Sequence, residues 1–305
     1  MTFAQLRTFL AVAEAGSVRG AAERLVVSQP SVSASVGSLE RELGVDLVTR
    51  QGRGLRLTEA GLAFAATVRQ ALGLLEWGAR RATSIAAPGR GPVRVAAVTT
   101  AAERLLLPLI AAFRREHPEA GVTVEVGNRT SVWEALSNHD ADLVVAGRPP
   151  VVLGARILAR AANTLILAGP AGRGKGRPAP ARKLAGETWL LREEGSGTRD
   201  ATEELLRRLA IEPQTMILGS NGAVEAAVAA GLGVALISRY AVADRLADGT
   251  LSVWECPGTP LERPWHLVSH GAEPLSPTAR LLVASMASTT PGFVLTGEGR
   301  RLLSR

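Results

Sequence analysis

The first 57 residues place apolar positions at helical spacing in three short segments, and a β-prone segment follows. The first segment has apolar residues three or four positions apart, which predicts an amphipathic helix that Gly16 ends. Ser17 is a favourable N-cap for a second short helix, and a third helix continues to Gly44. The next stretch, DLVTRQGRGLRLT, has two β-prone runs around Gly52 and Gly54, which indicates a hairpin. Three helices and a hairpin in this order predict a winged helix-turn-helix.

The third helix is rich in serine and poor in charge. On a helical wheel Val32, Val36 and Leu39 point inward, so the opposite face has small side chains and a charge only near its end, at Arg41. Short side chains let a helix approach base edges in the major groove, where hydroxyls and aliphatic groups can contact bases and phosphates. Pro30 occupies the first turn, where its missing N–H costs nothing. We therefore predict that this is a DNA recognition helix.

The predicted DNA-binding residues lie at helix N-termini, on the outer face of the recognition helix and on the hairpin. They are Ser17, Ser28, Gln29, Pro30, Ser31, Ser33, Ala34, Ser38, Arg50 and Arg53. Arginines at the tip of a wing suit contact with phosphates or the minor groove. A small helical bundle with a serine-rich solvent face is the alternative that this pattern leaves open.

A long uninterrupted helical pattern begins at Thr58 and Glu59 and ends near residue 87. Its apolar seam consists of Phe64, Val68, Ala71 and Leu75. A narrow seam on a long helix is most simply buried against the same helix of a second subunit. Packing within the same chain is the alternative. Residues 87–92 read APGRGP, which indicates a linker.

From Val93 onward, short apolar runs of strand character alternate with helical stretches. The predicted strands are VRVAAV, VTVEV, DLVVAG, TLILAG, TWLLRE, TMILG and GVALIS, and the predicted helices cover 103–116, 131–138, 199–210 and 222–230. This alternation predicts an α/β layout with a mostly parallel sheet. Residues 169–183 are polar and glycine-rich, so we expect an exposed loop there.

Three of the predicted helices begin with hydroxyl or amide side chains directly after a strand. The residues so placed are Thr99, Thr100, Ser196, Gly197, Thr198, Arg199, Ser220 and Asn221, and Arg148 lies at a further strand end. Helix N-termini supply free N–H donors and positive potential, so an anionic ligand is expected where they converge. Ordinary N-capping of unrelated helices is the alternative interpretation.

Composition narrows the class of protein without deciding its function. The net charge of +7 is spread along the chain. It is explained equally well by an anionic partner and by a generally arginine-rich composition without such a partner. The single cysteine, Cys256, excludes an internal disulfide and fits a reducing compartment. The start of the chain lacks a secretory signal pattern, and no stretch approaches the roughly 18 apolar residues of a membrane span. We expect a cytoplasmic protein without membrane contact.

Two other classes of protein fit the second half less well. For an enzyme, the four histidines lack metal-ligand spacing, and GSGTR is neither a nucleophile elbow nor a Walker loop. We therefore expect no catalytic residue, no metal site and no cofactor. A solute-binding protein is not expected to carry an N-terminal DNA-binding domain.

The motifs AAERL, SQPSVS, LERELGVDL and LTEAG, with Arg50 on the wing, resemble the DNA-binding domain of LysR-type transcriptional regulators. The family commonly has Phe where Val48 stands, a departure that affects wing packing rather than base reading. The resemblance covers the whole chain and implies a winged helix-turn-helix domain at 1–58 (motif about 17–36), a dimerisation helix at 59–88 and a two-lobed α/β effector domain at 92–295, similar to periplasmic binding proteins. It places lobe I at about 92–165 plus 268–295 and lobe II at about 166–267.

Motifs of the second half, such as TTAAERLLLP, LVVAGRPP, EEGSGTR and GSNGAVEAAVAAGLGVALISR, are similar to the branch that regulates Calvin-cycle (RuBisCO) operons and to related cysteine regulators. That branch responds to phosphorylated metabolites or nicotinamide nucleotides, which agrees with an anionic effector. The expected effector-binding residues are Thr99, Thr100, Asn128, Thr130, Arg148, Ser196, Thr198, Arg199 and Asn221. The resemblance further implies a homodimer that assembles into a homotetramer on double-stranded promoter DNA, with RNA polymerase as a further partner.

Overall fold

The computed structural model describes residues 1–52, 54–86, 89–172 and 181–304. It forms two compact units, 1–79 and 80–305. The first unit contains α1 (Phe3–Ala15), α2 (Val18–Leu25), α3 (Gln29–Leu43), β1 (Val48–Gln51), β2 (Gly54–Leu57) and most of α4 (Glu59–Ala86). The strands β1 and β2 pair antiparallel. The predicted winged helix-turn-helix is therefore confirmed.

Local chemistry sets the helix ends of this unit. Thr2 caps α1, and the side chains of Ser17 and Ser28 cap α2 and α3 by accepting hydrogen bonds from backbone N–H groups in the first turn. Gly16 and Gly44 follow α1 and α3 with φ values of 61° and 72°, a left-handed conformation that glycine adopts without strain. Sequence signals alone thus position the three helices.

Packing of α3 follows the predicted wheel. Val32, Val36 and Leu39 are buried, as expected. The carboxylate of Glu40 accepts hydrogen bonds from the backbone N–H of Leu47 at 2.8 Å and from that of the next residue at 3.1 Å. These bonds tie the end of α3 to the start of the wing.

Half of the predicted seam of α4, Phe64 and Val68, packs within the chain, and burial of the seam against a second subunit stays a prediction. Ala65, Val68 and Leu72 are buried in a core shared with α1, whereas Ala71 and Leu75 are exposed, Leu75 by 52%. The buried row begins at Gly61 and keeps the spacing 4, 3, 4 of the expected seam. The first turns of α4 thus pack within the chain, because α1 and the segment around Leu47 lie against them.

Gly61 makes the closest approach in this unit. A Cβ atom at this position would lie 1.9 Å from the backbone oxygen of Leu47. We expect Gly61→Ala to destabilise the first unit by about 1–3 kcal/mol, because backbone must shift to relieve the overlap. Gly78→Ala on the same helix is the matched control, since its Cβ would have no neighbour within 4 Å.

Hydrogen exchange of α1 to α3 in the full-length protein measures this difference. Gly61→Ala should raise exchange in these helices, and Gly78→Ala should leave it unchanged or slow it. Equal protection of the two variants would contradict the close approach of Gly61 to Leu47.

The second unit contains two lobes. Its strands are β3 (Val93–Val98), β4 (Val122–Gly127), β5 (Leu143–Ala146), β6 (Arg156–Ala161), β7 (Thr164–Pro170), β8 (Trp189–Arg192), β9 (Thr215–Leu218), β10 (Ala235–Ser238), β11 (Leu251–Trp254), β12 (Leu261–Glu262), β13 (Trp265–Ser269) and β14 (Val294–Leu295). Its helices are α5 (Thr99–Ala101), a π-helical turn (Ala102–Leu106), α6 (Leu107–Glu116), α7 (Arg129–Ser137), a 3₁₀ turn (Val151–Leu153), α8 (Ala181–Ala185), α9 (Gly197–Leu209), α10 (Asn221–Ala229), α11 (Ala243–Ala247), α12 (Pro277–Ser288) and α13 (Gly297–Leu303).

Each lobe is built on sheet with helices packed against it. Lobe I has a six-stranded sheet in the order β14-β6-β13-β5-β3-β4. Lobe II has β7 between β10 and β11, with β12 also on β7, and a parallel pair β8-β9. Among the described strands of this unit, β3-β4, β3-β5 and β8-β9 are parallel and the other pairs are antiparallel.

The mostly parallel sheet that we predicted is therefore wrong, and both lobes are mixed. The prediction omitted β6, β11, β12, β13 and β14. Among the described strands, none of these five is joined along the chain directly to a strand with which it pairs. The chain leaves lobe I after β6 and returns to it at β13, which lies antiparallel to β5 and β6.

The chain passes between the lobes at residues 162–163 and 263–264, between β6 and β7 and between β12 and β13. The expected boundaries after residues 165 and 267 fall inside β7 and β13, because sequence alone does not show which sheet a strand joins. The expected end at 295 is also early. A Cβ at Gly299 in α13 would overlap the backbone oxygen of Leu158, and Leu302 packs on the core of lobe I. No helix in the described part of the chain combines the length and apolar character that crossing a membrane requires.

Candidate functional site

The outer face of α3 is open and uncharged over its first turns. Gln29, Pro30, Ser31, Ser33 and Ala34 are all exposed. Each side chain is short or compact except that of Gln29, so the backbone of this face can come close to a groove of DNA. These five predicted residues therefore lie together on one surface.

Three other predicted residues also serve the fold. Ser17 and Ser28 cap helices, with their hydroxyls accepting from Gly20 N at 3.1 Å and from the N–H of residue 31 at 3.3 Å. Ser38 is half-buried and accepts a hydrogen bond from Gln5 Nε2 at 3.2 Å, so its hydroxyl links α3 to α1. The predicted position of Ser38 on the outward face implies an exposed side chain, whereas Ser38 is half-buried.

The wing carries one of the two predicted arginines within the described residues. Arg50 is exposed on β1. Arg53 lies outside the described residues. Arg41, at the end of α3, turns back along its helix and donates to the carbonyl oxygen of Gly37 at 3.1 Å.

A cleft between the two lobes, termed the interlobe cleft, has an empty volume of about 630 Å³ including open solvent. The predicted residues that line it are Thr99, Thr100, Asn128, Ser196, Thr198 and Asn221. They belong to the first turns or N-caps of α5, α7, α9 and α10. Four helix N-termini therefore converge on one cleft, as the sequence suggested for three.

The cap of α9 is the most available of these groups. The Ser196 side chain is 4% exposed and makes no capping hydrogen bond with its own helix. By contrast, the side chains of Asn128 and Ser220 accept hydrogen bonds from backbone N–H groups of α7 and α10. The first N–H groups of α9 and the Ser196 hydroxyl can thus bind an anion together.

Three predicted effector-binding residues do not line the interlobe cleft. Thr130 is exposed, and its backbone N–H donates to Gly195 O at 3.2 Å. Arg199 turns along α9 and donates from Nε to Glu203 Oε1 at 2.8 Å. Arg148 lines an adjoining depression that contains His266. The three residues lie near strand or helix ends, as predicted, but their side chains do not reach the interlobe cleft.

Arg192 is the charged centre of the cleft and was not among the predicted residues. This side chain is 8% exposed and lies at the end of β8. It donates to the Glu193 carboxylate from Nε at 2.6 Å and from Nη2 at 2.7 Å, and it also donates to Asn221 Oδ1. Although partial burial opposes ionisation of Glu193, the hydrogen bonds from Arg192 lower the pKa of that carboxyl below its usual value. Other lining residues that were missed are Arg129, Asn163, Ser238, Arg263 and Trp265.

Asn221 connects the two lobes across the cleft. Its Nδ2 donates to Thr100 Oγ1 at 2.6 Å, while its Oδ1 accepts from Arg192. A second link joins Arg104 Nη1 and Asp244 Oδ2 at 2.9 Å. A ligand in the cleft therefore contacts groups that already bridge the lobes.

The floor of the cleft is formed by the two passages between the lobes. Asn163 Nδ2 donates to Arg263 O at 2.9 Å, and Arg263 N donates to Asn163 O at 2.9 Å. Ser238 Oγ donates to Asn163 Oδ1 at 2.6 Å. The local sequence around Asn163 gave no signal of this role, because only the fold brings the two passages together.

Cys256 is a core residue of lobe II rather than a reactive group. It is 4% exposed, and burial raises the pKa of its thiol to about 11. Because the thiolate is the reactive form, roughly one thiol in a thousand is ionised at pH 8. We expect native protein to resist N-ethylmaleimide at pH 8 while denatured protein is labelled fully, as measured by intact mass. Equally fast labelling of native protein would contradict this burial.

Comparison with known proteins agrees with this geometry. Residues 3–62 match the bacterial regulatory helix-turn-helix protein, lysR family, and residues 86–290 match the LysR substrate binding domain. The chain is 35% identical over 285 residues to the RuBisCO operon transcriptional regulator of Allochromatium vinosum, covering 90% of this chain and 92% of that protein.

Two solved structures are similar to this chain. Full-length CbnR complexed with its target DNA is 28% identical with a TM-score of 0.65, over 93% of this chain and 98% of that chain. The CcmR regulatory domain of Synechocystis PCC6803 in complex with 2-PG is 28% identical with a TM-score of 0.59, over 65% of this chain and 97% of that chain. The chain belongs to the LysR family of transcriptional regulators, with a DNA-binding helix-turn-helix domain and an effector-binding domain, and not to a family of enzymes.

Proposed function

We propose that this protein regulates carbon-assimilation genes of the RuBisCO-operon kind in response to a small phosphorylated or carboxylated metabolite bound in the interlobe cleft. The observation that carries the proposal is the convergence of four helix N-termini around the buried guanidinium of Arg192. The similarity to a RuBisCO operon regulator supports the class of target genes. The similarity to a regulatory domain in complex with 2-PG, a small anionic ligand, supports the class of effector.

The cleft favours an anion for two physical reasons. Backbone N–H groups at helix N-termini point into it and carry partial positive charge. Arg263 supplies a positive charge, Arg192 supplies guanidinium N–H donors while Glu193 balances its charge, and Arg129 adds a third guanidinium that lies 3.8 Å from Asp200. Among the described residues, Glu193 is the acid that pairs with Arg192. An effector with a phosphate or carboxylate group thus gains charge-assisted hydrogen bonds in a partly dry site.

Effector binding can change the contacts between the lobes, because the effector would accept hydrogen bonds from groups that now bond to other parts of the protein. Arg192 and Asn221 now hold each other, and Asn221 holds Thr100 of the other lobe. An anion that takes over these donors changes which lobe contacts are made. The effector therefore favours one arrangement of the lobes by the difference in its affinity for the two arrangements.

We propose a homodimer that assembles further on DNA. Apolar residues on α4 remain exposed, among them Leu62 at 58%, Leu74 at 43% and Leu75 at 52%. The buried row of α4 faces its own chain, so these residues are the part of the helix left to contact a second copy. A homotetramer on spaced half-sites, contact with RNA polymerase and a cytoplasmic location accord with a DNA-binding regulator. The cleft is the site of an effector and not of a tightly bound cofactor.

A gel shift with the intergenic DNA upstream of this gene tests the proposal. We expect a sequence-selective shift, and 2-PG should change its midpoint or the DNase I footprint. Intergenic DNA of equal length from another locus is the control. If the upstream DNA shifts no better than the control with and without 2-PG, the proposed gene regulation is wrong. A selective shift that no small phosphorylated or carboxylated anion alters would contradict the effector class alone.

A further inference from the structure

Outside the interlobe cleft, lobe I brings two of the four histidines together with a glutamate. His139 follows α7, and His270 and Glu273 follow β13. One potential ligand atom from each of the three residues lies within 4.8 Å of the others. The sequence gave no metal-ligand spacing for these residues, because 131 positions separate the two histidines. Only the fold forms this histidine–glutamate cluster.

One distance within the cluster, from His139 to Glu273, matches the separation of two ligands around one ion. His139 Nε2 lies 3.4 Å from Glu273 Oε1, and His270 Nδ1 contacts Glu273 Oε2. A tetrahedral Zn²⁺ ion with bonds of about 2.0–2.1 Å holds its ligand atoms roughly 3.3 Å apart. The two imidazole rings face each other with centroids 4.5 Å apart and an interplanar angle of 27°.

The backbone around these side chains is fixed by hydrogen bonds and close packing. His139 has a φ of 58°, a left-handed conformation that is uncommon for residues other than glycine. Its N–H donates to Leu136 O at 3.1 Å, and its carbonyl oxygen accepts from Arg80 Nη2 at 2.9 Å. A Cβ at Gly271 would lie 1.8 Å from Gly154 O, so the loop after His270 is packed closely.

Burial and charge suit a cation in the cluster. The side chains of His139, Glu273 and His270 are 9%, 17% and 30% exposed. Burial is the main cause that lowers the pKa of His270, and the nearby carboxylate of Glu273 opposes this shift. The positive charge of Arg156 also lowers the pKa of the His270 ring. The guanidinium of Arg156 lies 3.7 Å from the carboxylate of Glu298, which offsets this positive charge. The partial exposure of His270 leaves one side open for a water ligand.

We propose that His139, His270 and Glu273 form a binding site for a divalent transition-metal ion, Zn²⁺ in the first place, with a solvent molecule as the fourth ligand. Two imidazole nitrogens and one carboxylate suit Zn²⁺ and its neighbours in the first transition row, whereas Mg²⁺ and Ca²⁺ prefer oxygen ligands throughout. The bound ion joins the turn after α7 to the loop after β13. Arg80, near the end of α4, is hydrogen-bonded to the same turn.

Zn²⁺ titration of the untagged, chelator-treated full-length protein by isothermal calorimetry tests this site. We expect one equivalent per chain, and Mg²⁺ should not bind or compete. Co²⁺ in place of Zn²⁺ should give a visible absorption band typical of low coordination number with nitrogen and oxygen ligands. His270→Gln, His139→Ala and Glu273→Gln should each weaken binding by at least roughly tenfold, since changes even in outer-shell partners have effects of this size.

His117→Ala is the matched control, because the His117 ring packs at a tilt against Phe113, with centroids 4.8 Å apart, outside the cluster, so Zn²⁺ affinity should be unchanged. His270 is the most exposed ligand, so His270→Gln keeps the test valid if a variant of buried His139 fails to fold. Absence of Zn²⁺ binding to the wild type, or wild-type affinity in folded His270→Gln, would overturn the proposal.

Discussion

Replacement of Arg192 by methionine should reduce the affinity for an anionic effector at least roughly 100-fold. The guanidinium is buried at the end of β8, where the first turns of α9 and α10 also reach the cleft. Each hydrogen bond between charged partners contributes about 1.5–3 kcal/mol, and a guanidinium can make two of them to one phosphate. Methionine keeps much of the length of the side chain and removes the charge, so the loss reports on the charge rather than on packing.

Calorimetric titration with 2-PG, and separately with inorganic phosphate, measures the effect of Arg192→Met. Arg199→Ala is the control one turn into α9, because Arg199 binds Glu203 and not the cleft. It should retain effector affinity within a few fold, and both variants should shift promoter DNA as the wild type does. If Arg199→Ala loses the effector and Arg192→Met does not, then Arg199 rather than Arg192 binds the anion.

Ser33→Glu should abolish sequence-specific DNA binding, with a loss of at least roughly 100-fold, or about 2.7 kcal/mol. Ser33 is exposed in the middle of the open face of α3. A carboxylate there is repelled by phosphates, and its length prevents the close approach that small side chains allow. Since the residue lies on the surface, the stability of the domain should change by no more than about 0.5 kcal/mol.

Ser33→Ala separates the two causes of that loss. It removes one hydroxyl and keeps the side chain small, so it should weaken binding by about tenfold or less, the value of one neutral hydrogen bond. Fluorescence anisotropy with a labelled operator at fixed salt measures both variants. Unchanged affinity of Ser33→Glu would show that α3 is not the helix in the groove.

The sequence predicts the first unit well because its elements are set by neighbours in the chain. Ser17, Gly16 and Gly44 act on the helix ends beside them, and the burial of Val32, Val36 and Leu39 follows from helical spacing. Phe64 and Val68 of the predicted seam pack within the chain because two rows of α4 share the same spacing. The row that begins at Gly61 lies against α1 and the segment around Leu47.

Part of the cleft was predicted because some of its residues are also set by signals from neighbours in the chain. Thr100, Ser196 and Asn221 were found because helix starts are local signals. Arg199 was predicted instead of Arg192 because it lies beside the glycines of GSGTR. In the structure its side chain pairs with Glu203, four residues further along α9, and not with the cleft. Strand direction and the passages at 162–163 and 263–264 depend on which strands become neighbours, which no local pattern encodes.

The paired passages at Asn163 and Arg263 are joined to each other where the chain crosses between the lobes. Because these two residues hydrogen-bond to each other through both backbone and side chain, a change in lobe angle that keeps these bonds would pivot about this line. The angle between the lobes is then set by the length of the molecule that spans the cleft. Two anions of equal affinity but unequal length would leave the lobes at different angles, so one could activate the protein and the other could act as its antagonist.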